Sequence, residues 1–298
     1  MRTIFVGLAF GIVTAIAVCA QVTVEVVLEQ RQFLPGESLP VAVRVVNHSG
    51  QTLQLGADDE WLVMSVEARD GGAVHQISDV PVRGEFTLKN AQRGTRRLDL
   101  APHFNLTRQG SYRIQATVRI AAWDRQFSSE PVPFDVISGS RVWEREFGVP
   151  GTSINGAPEV RKYILQEANY LKRDLRLYLR LTDATETRII RVMAIGSIVS
   201  FGKPEPQLDR RSNLHLLFQQ GRASCAYVVI SPDGDILLRQ IYDIIGSRPK
   251  LHLNEAGEIV VRGGQRRFTE NDLPPPRPPD DASMPSAEPS SEASASHP

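Results

Sequence analysis

The tightest constraint on the fold of this chain is a two-residue period that recurs along most of its length. In VTVEVVLE (residues 22–29), Val22, Val24, Val26 and Leu28 fall on one side, while Thr23, Glu25 and Glu29 fall on the other. LPVAVRVVN repeats the pattern at Leu39, Val41, Val43 and Val45. SYRIQATVRI does so at Tyr112, Ile114, Ala116, Val118 and Ile120, and LRLYLRLT at Leu175, Leu177, Leu179 and Leu181. A strand turns successive side chains to opposite faces, so this alternation belongs to antiparallel sheets with one packed face and one wetted face. NHSGQ, RDGG, SPDGD and NEAGE each lie between apolar runs, where glycine supplies the positive φ of a tight turn. EVRKYILQEANYLKR (residues 159–173) has apolar spacings that also suit a helix. Its alternating Tyr163 and Leu165 lead us to read it as strand. The expected fold is all-β: two antiparallel β-sandwich-like domains in tandem.

The ends differ in composition from this body. Residues 1–20, MRTIFVGLAFGIVTAIAVCA, carry Arg2 and then an apolar run, with Val18 and Ala20 at −3 and −1 of a cleavage point. That is the layout of a secretory signal peptide, and the run is shorter than the ~20 residues of a spanning helix. The expected destination is therefore outside the cytoplasm: periplasm, cell surface or medium, with no transmembrane segment after cleavage. Residues 269–298 are rich in Pro, Ser and Ala and read as a disordered tail. ISGSRVWEREFGVPGTSINGAP carries glycines and prolines around a strand-like VWEREF. Residues 139–158 are accordingly expected to be a linker with a short strand, between domains at 21–138 and 159–268. Removal of Cys19 with the signal leaves Cys225 alone, so no internal disulfide staples the fold.

FLPGESLPVAVRVVNHSGQTLQLG (residues 33–56) resembles the opening of immunoglobulin-like modules in exported bacterial proteins, where a Pro-Gly-Glu turn leads into a strand ending in Asn-x-Ser-Gly. SYRIQATVRI resembles the late strand of such modules, which starts at a Gly-x-Tyr, here Gly110 and Tyr112. The resemblance spans about residues 21–137 and implies a sandwich fold without implying an activity. The remainder resembles an uncharacterised exported bacterial β-domain.

Chemistry-bearing residues are sparse. Lys plus Arg and Asp plus Glu are both 34, which leaves no net field to draw nucleic acid. His215 and Cys225 flank NLHLLFQQGRASCAYVVIS, and a hairpin folded about Gln220–Gly221 would set them within one residue of being opposite. Against a catalytic pair, Cys225 sits at a strand start with no helix signal after it to lower the thiol's pKa and no adjacent glycine to shape an oxyanion hole. Cys225 is read as a core residue. The six histidines form no metal-ligand cluster, and Asp58-Asp59-Glu60 lacks the alternating oxygens of a calcium loop. No catalytic, cofactor-binding or metal residues are assigned.

Trp61, Trp123 and Trp143 suggest either a sugar-stacking platform or packing; packing is preferred, with Trp143 under a guanidinium of Arg141 or Arg145. Asn47-His48-Ser49 and Asn105-Leu106-Thr107 match the glycosylation pattern and are read as chance. KPEPQLDRR (residues 203–211) reads as a long surface loop, and Lys203, Glu205, Gln207, Asp209, Arg210 and Arg211 are its candidate interaction residues. The expected role is a non-enzymatic envelope or extracellular binding scaffold that contacts a protein or glycan partner. A two-domain periplasmic chaperone is the alternative, with Arg141, Arg145 and Arg161 as basic anchors. An enzyme with an unrecognised site is the third reading.

Overall fold

The structure, a computed structural model, describes residues 21–72, 74–154, 157–269 and 272. Residues 1–20, expected to be a signal peptide, and nearly all of 269–298, expected to be a disordered tail, lie outside the described residues. The described chain is all-β; its one helical turn is a 3₁₀ segment at Ala121–Trp123. It divides into two compact units, one ending at Gly139 and the other starting at Ser140.

The first unit contains β1 (Val22–Leu28), β2 (Gln32–Phe33), β3 (Pro40–Asn47), β4 (Leu53–Leu55), β5 (Leu62–Ala68), β6 (Phe86–Leu88), β7 (Arg93–Asp99), β8 (Gly110–Ile120), β9 (Arg125–Ser128) and β10 (Val132–Val136). One sheet runs β1-β3-β7 and a second β2-β10-β8-β5, with β9 also on β8; β4 and β6 form a separate pair. The alternating valines of β1 and β3 and the inward residues of β8 share one core with Trp61, Phe134 and Met64. Each valine or isoleucine buried this way contributes about 1.5–3 kcal/mol relative to exposure. The Pro-Gly-Glu turn closes on itself, because Glu37 Oε2 accepts the Leu34 N–H at 2.8 Å while Gly36 holds φ at 83°. Tyr112, stacked on Phe134, donates its hydroxyl to Arg108 O at 2.7 Å.

The second unit contains β11 (Ser140–Ile154), β12 (Ala157–Tyr170), β13 (Asp174–Asp183), β14 (Ile189–Ser197), β15 (Glu205–Leu208), β16 (Leu214–Gly221), β17 (Ser224–Ile230), β18 (Ile236–Asp243), β19 (Lys250–Leu253), β20 (Ile259–Arg262) and β21 (Gln265–Arg267). β11-β12-β13-β14 form an antiparallel meander, and β15-β16-β17-β18-β21 form the second sheet. Even-numbered residues of β16 and β17 (Leu214, Leu216, Phe218, Ala226, Val228, Ile230) pack into a core with the first sheet. Their odd-numbered neighbours (Leu217, Cys225, Tyr227, Val229) pack into a separate core under the β19–β20 hairpin. This unit is therefore three layers, and its central strands are covered on both faces.

Two expectations are corrected here. Residues 139–158 are not a linker with a short strand, because β11 occupies 140–154 and pairs with β12. The boundary falls at the start of the stretch, between Gly139 and Ser140, and Gly148 and the residues up to Ser153 mark a register irregularity within the strand. The second domain accordingly begins at 140 and not at 159. Residues 159–170 are strand, and Leu171 and Lys172 take positive φ (49° and 56°) in the tight turn to β13.

Ties between the two sheets gather at one end of this unit. Tyr163 on β12, fully buried and stacked on Phe147 at 4.2 Å, donates to Ser231 O at 2.8 Å and to Ser212 O at 3.1 Å. Arg161 reaches Pro232 O at 2.8 Å and Asp233 at 2.7 Å in the 231–235 turn. The bond to Ser212 fixes the turn that leads into β16, the others fix the turn between β17 and β18, and together they position the site described next.

Candidate functional site

The segment expected as a loop, 203–211, contains a four-residue strand. Glu205–Leu208 is β15, an edge strand whose Glu205, Gln207 and Leu208 pair with Leu217, His215 and Leu214. Pro206 lacks an N–H and is disfavoured in a central strand, but an edge strand has one side that needs no partner. Pro206 is thus accommodated within the strand, while Pro204 lies in the irregular stretch before it. What remains irregular is the 209–213 turn, organised by Asp209. Its Oδ1 accepts the N–H groups of Arg211 and Asn213, both at 2.8 Å, and its Oδ2 accepts Asn213 Nδ2 at 2.9 Å.

The same carboxylate reaches His215. Nε2 of His215 lies 3.3 Å from Asp209 Oδ2, and Nδ1 lies 2.7 Å from Tyr227 Oη. His215 stands opposite Val229 across β16–β17, so Tyr227 is its diagonal neighbour on the same face. Asp209 can only accept, which assigns the imidazole proton to Nε2 and leaves Nδ1 to accept the phenol proton. Burial works against ionising Asp209, but the bonds from Asn213, His215 and Arg211 outweigh it and hold the carboxyl below its ordinary value. Burial pushes His215 down, with Asp209 resisting. Burial also lifts the Tyr227 hydroxyl well above its ordinary value, with Tyr242 and Asp209 adding to the shift. At neutral pH the relay is carboxylate, neutral imidazole and intact phenol. It locks the turn to the sheet and keeps the proton on the tyrosine.

Beside this relay lies a cleft of about 550 Å³ between the 209–213 turn and the 254–258 turn of the β19–β20 hairpin. Val229, Leu237, Leu238 and Ile259 supply its apolar lining. The hairpin turn closes through Asn254, whose Oδ1 accepts the Glu258 N–H at 2.7 Å and whose Nδ2 donates to Glu258 Oε2 at 3.0 Å. Gly257 sits there at φ 77°, and a Cβ on it would fall 2.9 Å from Arg210 Nη2. The Arg210 guanidinium therefore rests against the hairpin turn from the opposite side of the cleft. Among the described residues neither Arg210 nor Arg211 has a carboxylate partner, whereas both lining carboxylates, Asp209 and Glu258, are engaged within their own turns.

Of the expected interaction residues, Asp209, Arg210 and Arg211 line this cleft, while Lys203, Glu205 and Gln207 do not. His215 and Cys225 share a face but not a site. The hairpin turns at 221–224, so Cys225 faces Gln219 and lies four residues from the position opposite His215. At ~3.3 Å per residue that is about 13 Å along the strand. The later turn is held by Gln219, whose Nε2 donates to Gly221 O at 2.9 Å and to Arg222 O at 3.2 Å. Cys225 is buried, and burial pushes its thiol upward.

The tryptophans are packing residues in their own units. Trp61 is 4% exposed and donates Nε1 to Val82 O at 2.9 Å, while Trp143 is half-buried against the second unit's core. Arg141 pairs with Glu144 and Glu186, and Arg161 with Glu159 and Asp233, so these two expected anchors are engaged in ion pairs. Asp59 and Glu60 pair with Arg83 and Arg119, and among the described residues no group of three or more His, Cys, Asp or Glu is placed to hold a metal ion. Asn47 is fully buried with its Nδ2 donating to Leu88 O and Gln51 O, which closes that sequon to modification in the folded state.

The relay through Tyr227 escaped the sequence because it depends on register. The available signal was a polar residue in each of two otherwise apolar strands, His215 in LHLLFQ and Tyr227 in CAYVVI. No known family model matches the chain, and comparison with curated proteins finds no match. No helix among the described residues is long and apolar enough to cross a membrane.

Proposed function

We propose that this protein is an exported, non-enzymatic binding scaffold whose second unit meets a protein or glycan partner at the end formed by the 209–213 and 254–258 turns. One observation carries the reading: Arg210 and Arg211 stand without a carboxylate partner among the described residues at a cleft whose other ionisable groups are engaged, Asp209, His215 and Tyr227 with one another and Glu258 with Asn254. A guanidinium without a carboxylate is a ready donor fork for an incoming acceptor. The groups that would serve catalysis are held in unreactive forms, with the Tyr227 phenol and the Cys225 thiol both pushed up by burial. The first unit serves as an immunoglobulin-like module. The Tyr112 hydroxyl bonded to Arg108 O, four residues upstream at the start of β8, is the arrangement of a tyrosine corner and supports that reading. Export rests on the signal-like residues 1–20, and the periplasm, cell surface and medium are all compatible with it.

The test is a crosslinking pull-down of tagged full chain from the envelope fraction of its native cells. It runs beside a form truncated after Asn271 and a double variant, Arg210→Ala with Arg211→Ala. A stoichiometric partner retained by the truncated form and lost by the double variant is the expected result. A partner lost only on truncation moves the binding function to the tail and overturns the placement.

A further inference from the structure

We infer that the cleft of the second unit binds a small monocarboxylate with an apolar body, its carboxylate between Arg210 and Arg211 and its body on Leu237, Leu238 and Ile259. This rests on the reading of that end of the unit as a binding surface and names the chemistry it takes.

The charge inventory selects an anion. Four ionic side chains other than His215 line the cleft: Asp209, Arg210, Arg211 and Glu258. Asp209 already accepts three hydrogen bonds from its own turn and one from His215, and Glu258 accepts one from Asn254. The two guanidiniums have no carboxylate partner among the described residues, whereas Asp209 is filled and Glu258 is tied to Asn254, so most of the unspent hydrogen-bonding capacity of the mouth is the donors of Arg210 and Arg211. Arg210 is also pre-placed. Its guanidinium lies against Gly257, where the missing side chain leaves room for it, so little rotamer freedom is lost on binding. A planar fork of N–H donors matches a planar carboxylate two bonds at a time.

The lining selects the body. Val229, Leu237, Leu238 and Ile259 present hydrocarbon, while the nearby polar atoms of His215 and Tyr227 bond to each other. A polar body would strip water from its own groups here without finding partners, which costs free energy, whereas an apolar body loses nothing. About 550 Å³ falls within the 300–1,000 Å³ span of small-molecule sites. The mouth and the lining together describe an amphipathic acid.

The experiment titrates the full chain with decanoate by calorimetry and by changes in amide NMR shifts, beside decanol and decylamine. Decanoate is expected to bind and to shift amides of residues 209–213 and 254–258, with both uncharged and cationic probes at least tenfold weaker, as loss of a charge-assisted pair dictates. Arg210→Ala with Arg211→Ala should weaken decanoate about tenfold or more and leave decanol unchanged. Because the decanol and decylamine comparisons use the unaltered chain, the proposal stays open to refutation even if the double variant misfolds. Decanol binding as tightly as decanoate would overturn it. So would no decanoate binding at all. If decanoate fails while the pull-down partner is still lost in the double variant, the ligand class is wrong and the binding surface stands. If the partner also persists, both fall.

Discussion

Removal of a single oxygen tests how the second unit is held together. Tyr163→Phe keeps the ring on Phe147 at 4.2 Å and deletes only the hydroxyl that serves Ser231 O and Ser212 O. One O–H contributes one proton, so the net bond lost is worth about 1 kcal/mol. Ser231 O still accepts the Gly234 N–H at 2.9 Å, so Ser212 O is the acceptor that loses its partner, and a buried unsatisfied acceptor costs a further ~1–3 kcal/mol. Both serines sit in half-buried turns where water reaches part of each carbonyl, so the expected total is near the low end, about 1.5 kcal/mol. The phenol stays protonated throughout the accessible range because burial pushes it far above its ordinary value, so the bond does not weaken with pH. Hydrogen exchange followed by mass spectrometry reads the effect directly. A loss of ~1.5 kcal/mol accelerates exchange through global opening about tenfold in peptides from β12, β16 and β17. Acceleration below about twofold in those strands would refute the view that this hydroxyl ties the sheets.

Two further outcomes follow from the second unit. Cys225, 2% exposed and with its thiol raised by burial, should resist iodoacetamide in the folded protein and label fully in urea, as read by intact mass; rapid native labelling would remove it from the core. His215 has a folded pKa below its unfolded value of ~6.5, chiefly through burial. The unfolded chain therefore takes up the proton first as pH falls, so this contribution is complete above about pH 6.5 and is lost as pH drops through the folded value. Asp209, also depressed, adds a contribution that is present above about pH 3.9 and lost below it. Urea midpoints between pH 7.5 and 5 should fall more steeply for the parent chain than for His215→Gln, and parallel curves would refute the assignment.

The one-face strands were legible because alternation is the direct image of a sheet with one wet side. Val22, Val24 and Val26 point inward as their spacing requires, and so do Leu177, Leu179 and Leu181, although Tyr178 and Thr182 on the other face of that strand are fully buried as well. LHLLFQ and CAYVVI carry no such alternation, because β16 and β17 are covered on both faces, and so the third layer left no periodic trace. The 139–158 segment misled through its glycines and prolines, which mark a register irregularity inside a long strand. Arg210 and Arg211 could be singled out as turn residues, but their neighbours in the cleft come from β18 and the 254–258 turn, well downstream. The His215–Tyr227 bond required the hairpin to close at 221–224, a choice made by the Gln219 side chain bonding to Gly221 O and Arg222 O.

The two-sided burial of β16 and β17 has a consequence for the order in which the chain emerges during synthesis. Their outward face is covered by the hairpin at Lys250–Leu253 and Ile259–Arg262, which leaves the ribosome after every strand it shields. Until then, Leu217, Cys225, Tyr227 and Val229 form a bare apolar stripe on adjacent, strongly β-forming segments, the kind of surface that templates sheet stacking between chains. A nascent chain stalled or cleaved before Lys250 would carry a two-sheet body that lacks only the short edge strand β21 and has an adhesive outer surface. The last short hairpin thus acts as the seal that makes the rest of the unit safe at high local concentration.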